Sequence, residues 1–139
     1  MWTLNINEEK RLLILKLSDA LTLNELSEFL KEIYDKHDGK FAAFDRLVDL
    51  SALQEIKIDL GTVSSRVHEY RRRIIPDTPV KISLFVPQKY VKGFSYLYKS
   101  MLSDDLFKLE ILDSLDKCAE YLSVDKMLLA DVIKKFLLL

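Results

Sequence analysis

Apolar and polar residues follow two rhythms along this chain, one of period two and one near 3.6, and the rhythms take turns. Trp2, Leu4 and Ile6 alternate with Thr3, Asn5 and Asn7, which predicts a half-buried strand. Residues 11–17 carry the nearly unbroken apolar run Leu12-Leu13-Ile14-Leu15, as expected of a strand covered on both faces. Glu8-Glu9-Lys10 turns the chain between them, so the two form a hairpin. Thr22-Leu23-Asn24-Glu25 has the spacing of a capping box, and Leu26, Phe29, Leu30, Ile33 and Tyr34 then make a helical stripe that Gly39 ends. A buried strand follows at residues 44–50 and stops at Asp49-Leu50-Ser51.

The second half repeats the alternation. A helix from about Asp59 carries Val63, Val67, Tyr70 and Ile74 on one side and is stopped by Pro76 and Pro79. Val80 to Val86 predicts a strand. A helix over 89–102 presents Tyr90, Val91, Phe94, Leu97, Tyr98, Met101 and Leu102, and residues 107–111 alternate as an edge strand. Asp113 or Ser114 caps a helix running to Leu122. The order β-β-α-β-α-β-α-β-α needs crossovers between strands. It therefore predicts an α/β fold with a mixed, mostly parallel five-stranded sheet, antiparallel only at the first hairpin.

Residues 124–139 stand apart as an appended apolar helix beyond a domain spanning 1–123. Leu129, Val132, Ile133 and Phe136 dominate its face. Such a face must pack on something: its own sheet, a second copy or a membrane surface. Few cations line its polar side, which disfavours the membrane. Because the pattern is complete by residue 123, the expectation leans to a homodimer.

Composition narrows the function classes. At 139 residues, 49% hydrophobic and 31% charged, the chain is long enough for one domain with its own core. The single cysteine, Cys118, excludes an internal disulfide and a cysteine-rich zinc site, and its helical neighbours Leu115, Ala119 and Leu122 make it a core residue. The N-terminus lacks the pattern of a signal peptide, and no run approaches the ~18 apolar residues of a membrane span, so a cytoplasmic location is expected. Net charge is −1, yet residues 66–99 carry +6. Arg71-Arg72-Arg73 fan around a helix and cannot share one ligand face, so nucleic-acid binding is not expected.

Catalytic signatures are few. The three glycines are far apart, which excludes Gly-rich phosphate loops. Neither His37 nor His68 has a ligand neighbour at helical spacing, so no metal or cofactor is expected. Asp49, Asp59 and Asp113 near strand ends suit turns and caps better than Mg²⁺. A Ser51/His68/Asp49 triad has no support in the spacing. The remaining signal is positional. Partners and ligands meet open α/β sheets at the carboxyl ends of strands. Asp49, Ser51, Asp59, Thr62, Ser64 and Ser65 are therefore the candidate interaction surface.

Three segments carry a family resemblance: Leu47-Val48-Asp49-Leu50-Ser51-Ala52-Leu53, Pro79-Val80-Lys81-Ile82-Ser83-Leu84-Phe85-Val86-Pro87, and residues 107–119 from Phe107-Lys108-Leu109 to Cys118-Ala119. Over residues 1–123 the chain resembles STAS-like, or SpoIIAA-like, domains, the class of anti-sigma-factor antagonists. It looks closest to small stand-alone bacterial members grouped with both STAS and CRAL-TRIO lipid-binding folds. The resemblance implies a non-enzymatic regulatory or protein-interaction module acting through the loop after the third strand and the following helix. A small-molecule or lipid carrier of CRAL-TRIO type is the alternative, and an enzyme using Asp49, Ser51 and Asp59 a weaker one. Antagonists of this class carry a phosphorylated serine at the start of that helix. Here the stretch 54–62 has none, and Thr62, Ser64 and Ser65 lie downstream.

Overall fold

The computed structural model describes residues 1–137, apart from the side chain of Tyr90. Tyr90's place in its helical stripe and the terminal Leu138 and Leu139 therefore lie outside the described residues. Among the described residues the sheet has five strands in the order β1-β2-β3-β4-β5. They are β1 (Trp2–Asn7), β2 (Leu12–Leu21), β3 (Asp45–Ile56), β4 (Val80–Phe85) and β5 (Phe107–Leu112). β1 pairs antiparallel with β2, and the other three pairings are parallel. The helices are α1 (Leu23–Tyr34), α2 (Leu60–Arg71), α3 (Lys89–Leu102), α4 (Leu115–Leu122) and α5 (Lys126–Phe136).

The continuous apolar run of β2 reflects its place inside the sheet. Leu13, Leu15 and Leu17 enter a core shared with α1, α2 and α3, whereas Leu12 and Ile14 enter a second core under α4 and α5. Four of these five helices start where a short polar side chain takes an orphan backbone N–H, α3 after Gln88 being the exception. Thr22, Asp59, Ser114 and Asp125 accept from Glu25, Thr62, Lys117 and Met127 respectively. After α1, residues His37, Asp38 and Gly39 take positive φ in succession. Gly39, at φ +71°, takes a backbone conformation that side chains rarely adopt, and a Cβ there would also meet the end of Ile74, so the glycine eases the turn after α1.

Two expectations change here. β3 does not stop at Asp49-Leu50-Ser51 but runs on to Ile56, paired with β2 as far as Leu21↔Ile56. It does so by carrying extra residues. From Lys16 to Ser18 its partner β2 advances two positions while β3 goes from Asp49 to Ala52, and a second irregularity follows between Asp19 and Ala20. The apolar face is kept by Leu50 and Leu53, three apart, a spacing that does not read as a strand.

The second change concerns α5. It lies on its own sheet, with Leu129 wholly buried and Val132 nearly so, against Leu12, Ile14 and Leu47. Ile133 and Phe136 pack at the rim of the same cluster. The core is thus not complete by residue 123, because α4 alone leaves one end of the sheet's second face open. Among the described residues of this segment, Met127 and Leu137 are the large apolar side chains left exposed. Among the described residues no helix is long and apolar enough to cross a membrane.

Candidate functional site

The sheet is uneven at its carboxyl end. β3 pairs with β4 only up to Asp49↔Phe85, while the β2–β3 ladder continues for several more residues. The two strands continue as a two-stranded ribbon whose inner face, Leu21, Leu50 and Leu53, stays in the core, and the chain leaves it at Lys57 to enter α2. Ser51, Gln54 and Glu55 are exposed on the ribbon, and Asp59 and Ser65 are exposed beyond it. On the side where β4 has ended, the amide of Gln88 fills the gap. Its Nε2 donates to the carbonyls of Leu50 and Leu53, and its Oε1 is buried without a partner. The sequence pattern does not mark Gln88, because its role depends on where β3 ends.

The six candidate residues separate into two clasps and two singles. Asp49 is not on the surface: it is fully buried. Alternation from Leu47 turns it toward α4. Its Oδ1 accepts the backbone N–H of Ser51 at 2.9 Å and the Ser51 hydroxyl at 2.6 Å. This is the position where β3 carries its extra residue, so the carboxylate takes up an N–H that the ladder leaves free. Oδ2 has no partner. Asp59 and Thr62 form the other clasp. Asp59 accepts the Thr62 N–H at 2.8 Å and its hydroxyl at 2.7 Å. The hydroxyl and then the backbone bond hold the Asp59 carboxyl below the usual carboxylate value. Ser64 is buried in α2, and Ser65 is exposed one position on. Among the described residues no hydrogen bond or ion pair joins the two clasps.

The geometry offers little to covalent chemistry. Both clasped hydroxyls donate to carboxylates, and neither meets a histidine. His68 Nε2 sits 3.1 Å from the Met101 carbonyl and ties α2 to α3, while His37 lies against the Phe41 ring. Cys118, also fully buried, has its thiol pushed up by burial, with the Asp49 and Asp113 charges adding to the effect and the Ser83 hydroxyl opposing it. A protonated thiol is a poor nucleophile. Among the described residues no group of three or more potential ligands is placed to hold a metal. The arginine run divides as its helical spread requires. Arg71 is buried over the Phe107 ring and donates to the Leu102 carbonyl, whereas Arg73 faces out to Asp35.

Behind the ribbon, between the sheet and α1–α3, is a cavity of about 120 Å³ with almost no polar surface. Leu21, Phe29, Leu53, Val63, Val67 and Val91 are among its walls. Tyr98 also lines it, and the Tyr98 hydroxyl is buried with no hydrogen-bond partner. Burial, and secondarily the Asp59 charge, raises that phenol's pKa. An unpaired buried hydroxyl costs about 1–3 kcal/mol, so the position is not neutral for the fold.

No protein-family model and no curated protein matches the sequence. The chain does match a solved structure, that of an uncharacterized protein of the DUF3478 family with a SpoIIAA-like fold from Shewanella loihica PV-4. The match covers 87% of this chain and 93% of that one, with a TM-score of 0.58 at 8% identity. At that identity the likeness speaks to the fold alone. The shared architecture, with its leading hairpin, consecutive strand order and mainly parallel sheet, gives this chain a SpoIIAA-like fold.

Proposed function

We propose that this chain is a non-enzymatic interaction module that engages a protein partner through the β2–β3 ribbon and the first turns of α2. The single observation that carries this is the unequal length of neighbouring strands. β3 outruns β4, so beyond Asp49 the β2–β3 ladder has no strand on one side, and Gln88 covers only part of that edge. Uncovered strand edges recruit extended segments from other chains, and exposed side chains then choose among them. Ser51, Gln54, Glu55, Lys57, Asp59 and Ser65 supply a polar rim of mixed charge, in which Lys57 pairs with Glu55 at 3.9 Å. It suits a partner segment that itself carries both hydrogen-bonding and charged side chains.

Regulation by a phosphoserine at the start of α2 is not part of this proposal. Thr62, the hydroxyl nearest that place, already donates to Asp59, and a phosphate there would set two anions against each other. A whole-lipid carrier is disfavoured by size, since the apolar cavity measures about 120 Å³ where ligand sites commonly span roughly 300–1,000 Å³.

A photo-crosslinking residue placed at Gln54, at Ser65 and, as a control, at exposed Glu120 on α4 tests the proposal in the native host. Adducts of one common mass from Gln54 and Ser65, absent from Glu120 and lost when Glu55→Lys and Asp59→Lys are combined, are expected. Equal labelling from Glu120, or no adduct from the ribbon, overturns it.

A further inference from the structure

We propose that β1 is the seam of a reversible homodimer, in which a second copy of this chain pairs antiparallel with its free edge about a two-fold axis at Leu4. The seam lies across β2 from the uncovered β3 edge and stands independently of the partner surface proposed above.

The backbone pairing shows which groups are free. The Met1 nitrogen donates to the Ser18 carbonyl at 2.9 Å, and the Ser18 N–H donates back to the Met1 carbonyl at 2.8 Å. Opposed residues of an antiparallel pair alternate between bonded and unbonded. In the unbroken register from Trp2↔Leu17 to Asn7↔Leu12, Thr3, Asn5 and Asn7 therefore bond to β2. Trp2, Leu4 and Ile6 turn their N–H and C=O groups away from it. Among the described residues nothing takes up those outward groups.

The edge also lacks the devices that keep strands from pairing. No charged side chain and no proline occurs in Trp2-Thr3-Leu4-Asn5-Ile6-Asn7, and no bulge interrupts its ladder. The opposite edge of the sheet is blunted. There the Phe107 N–H and C=O, which point away from β4, are tied to Asp104, and the Leu109 N–H is tied to the Ser103 hydroxyl.

The occupant follows from self-complementarity, which a closed two-fold interface requires. A centre at Leu4 uses all three outward residues. Leu4 meets Leu4 of the second copy, Trp2 meets Ile6 and Ile6 meets Trp2, three pairs of two backbone bonds each. These apolar side chains are half-buried in one chain and pack at the rim of its main core, so the pairing covers them further. On the other face Thr3 meets Asn5 of the second copy, and no like charges confront each other. That face is open beside the strand. Asn5, Ile6 and Asn7 border a groove of about 790 Å³ before α5 is reached. Interfaces below about 1,200 Å² in total are transient, and a seam of six residues a side belongs to that class, so the dimer is a reversible one.

Sedimentation of the full-length chain over roughly 10–500 μM reads the mass, and hydrogen exchange of single amides reads the seam. The mass should rise from monomer toward dimer. The Leu4 and Ile6 amides should exchange roughly threefold more slowly at the high concentration, while those of Thr3 and Asn5, already bonded to β2, change less. Thr3→Lys with Asn5→Lys, and Thr3→Glu with Asn5→Glu, each set like charges opposite one another across the seam. Either double variant alone should stay monomeric, and an equimolar mixture of the two should regain the dimer. If these variants fail to fold, the exchange pattern of the unmodified protein decides. A monomer at the highest concentration, an assembly beyond the dimer, or a dimer whose Leu4 and Ile6 amides still exchange freely would each overturn the proposal. So would charged variants that associate like the parent, or a mixture that stays monomeric.

Discussion

Leu129→Ala is the sharpest probe of how the C-terminal helix is used. Leu129 is wholly buried in the core that α4 and α5 share with Leu12, Ile14 and Leu47. Truncating such a leucine removes its transfer energy and leaves a cavity, for a cost of about 2–5 kcal/mol. Taking about 3 kcal/mol, and roughly 3 °C of melting temperature per kcal/mol for a domain near this size, the midpoint should fall by about 10 °C. Met127, two residues earlier on the same helix, is 62% exposed and is the control. Met127→Ala should stay within about 0.5 kcal/mol of the parent, as surface substitutions do. Calorimetry gives the midpoint, and light scattering at high micromolar concentration gives the mass before and after substitution. Packing of α5 on its own sheet requires a large drop in midpoint with unchanged mass. A midpoint within about 2 °C of the parent, or a halving of the mass without loss of stability, would mean that the face meets a second chain and would refute the argument.

Four further outcomes follow from the geometry. Asp59 is held ionised by Thr62, so its depressed carboxyl adds stability that is present above the ordinary value of 3.8 and fades as the pH falls through the lowered folded value. The melting deficit of Asp59→Ala should thus shrink steadily in acid, and a pH-independent deficit would contradict the cap. Ser51→Ala removes a hydroxyl donated to the buried Asp49 side chain, and denaturant melts should show a loss of about 0.5–1.5 kcal/mol, the net worth of one hydrogen bond. Cys118 is buried with its thiol pushed up, so it should resist a thiol reagent at pH 8 until urea unfolds the chain. Rapid labelling of the native protein would show that α4 opens. Intact-mass analysis of protein from its native host should find no phosphate on Thr62, Ser64 or Ser65, and a stoichiometric +80 Da species at any of them would revive phosphoregulation of this loop (about 80 Da per phosphate).

Local periodicity was enough to read the element order, the antiparallel hairpin and the double-sided burial of β2. In each of these the spacing of apolar residues records which faces of one segment are covered, and that information sits within a few neighbouring positions. The caps at Thr22, Asp59 and Ser114 were legible for the same reason, since the cap and the N–H it accepts are three residues apart. The end of β3 was not legible. An inserted residue breaks the period of two, so Leu50 and Leu53 share a face at a spacing that suggests a strand's end. The burial of Asp49 was missed with it, because a carboxylate at a supposed strand terminus reads as exposed, whereas alternation from Leu47 turns it inward and the Ser51 N–H and hydroxyl meet it there. Gln88 and the cavity beside Tyr98 depend on the relative lengths of β3 and β4 and on the gap between α2 and α3, which exist only once the layers are stacked. For α5 the stripe of Leu129, Val132, Ile133 and Phe136 is the same whether it meets its own sheet or another's. An apolar face specifies that it must be covered, and the uncovered end of the sheet beside α4 decided by what.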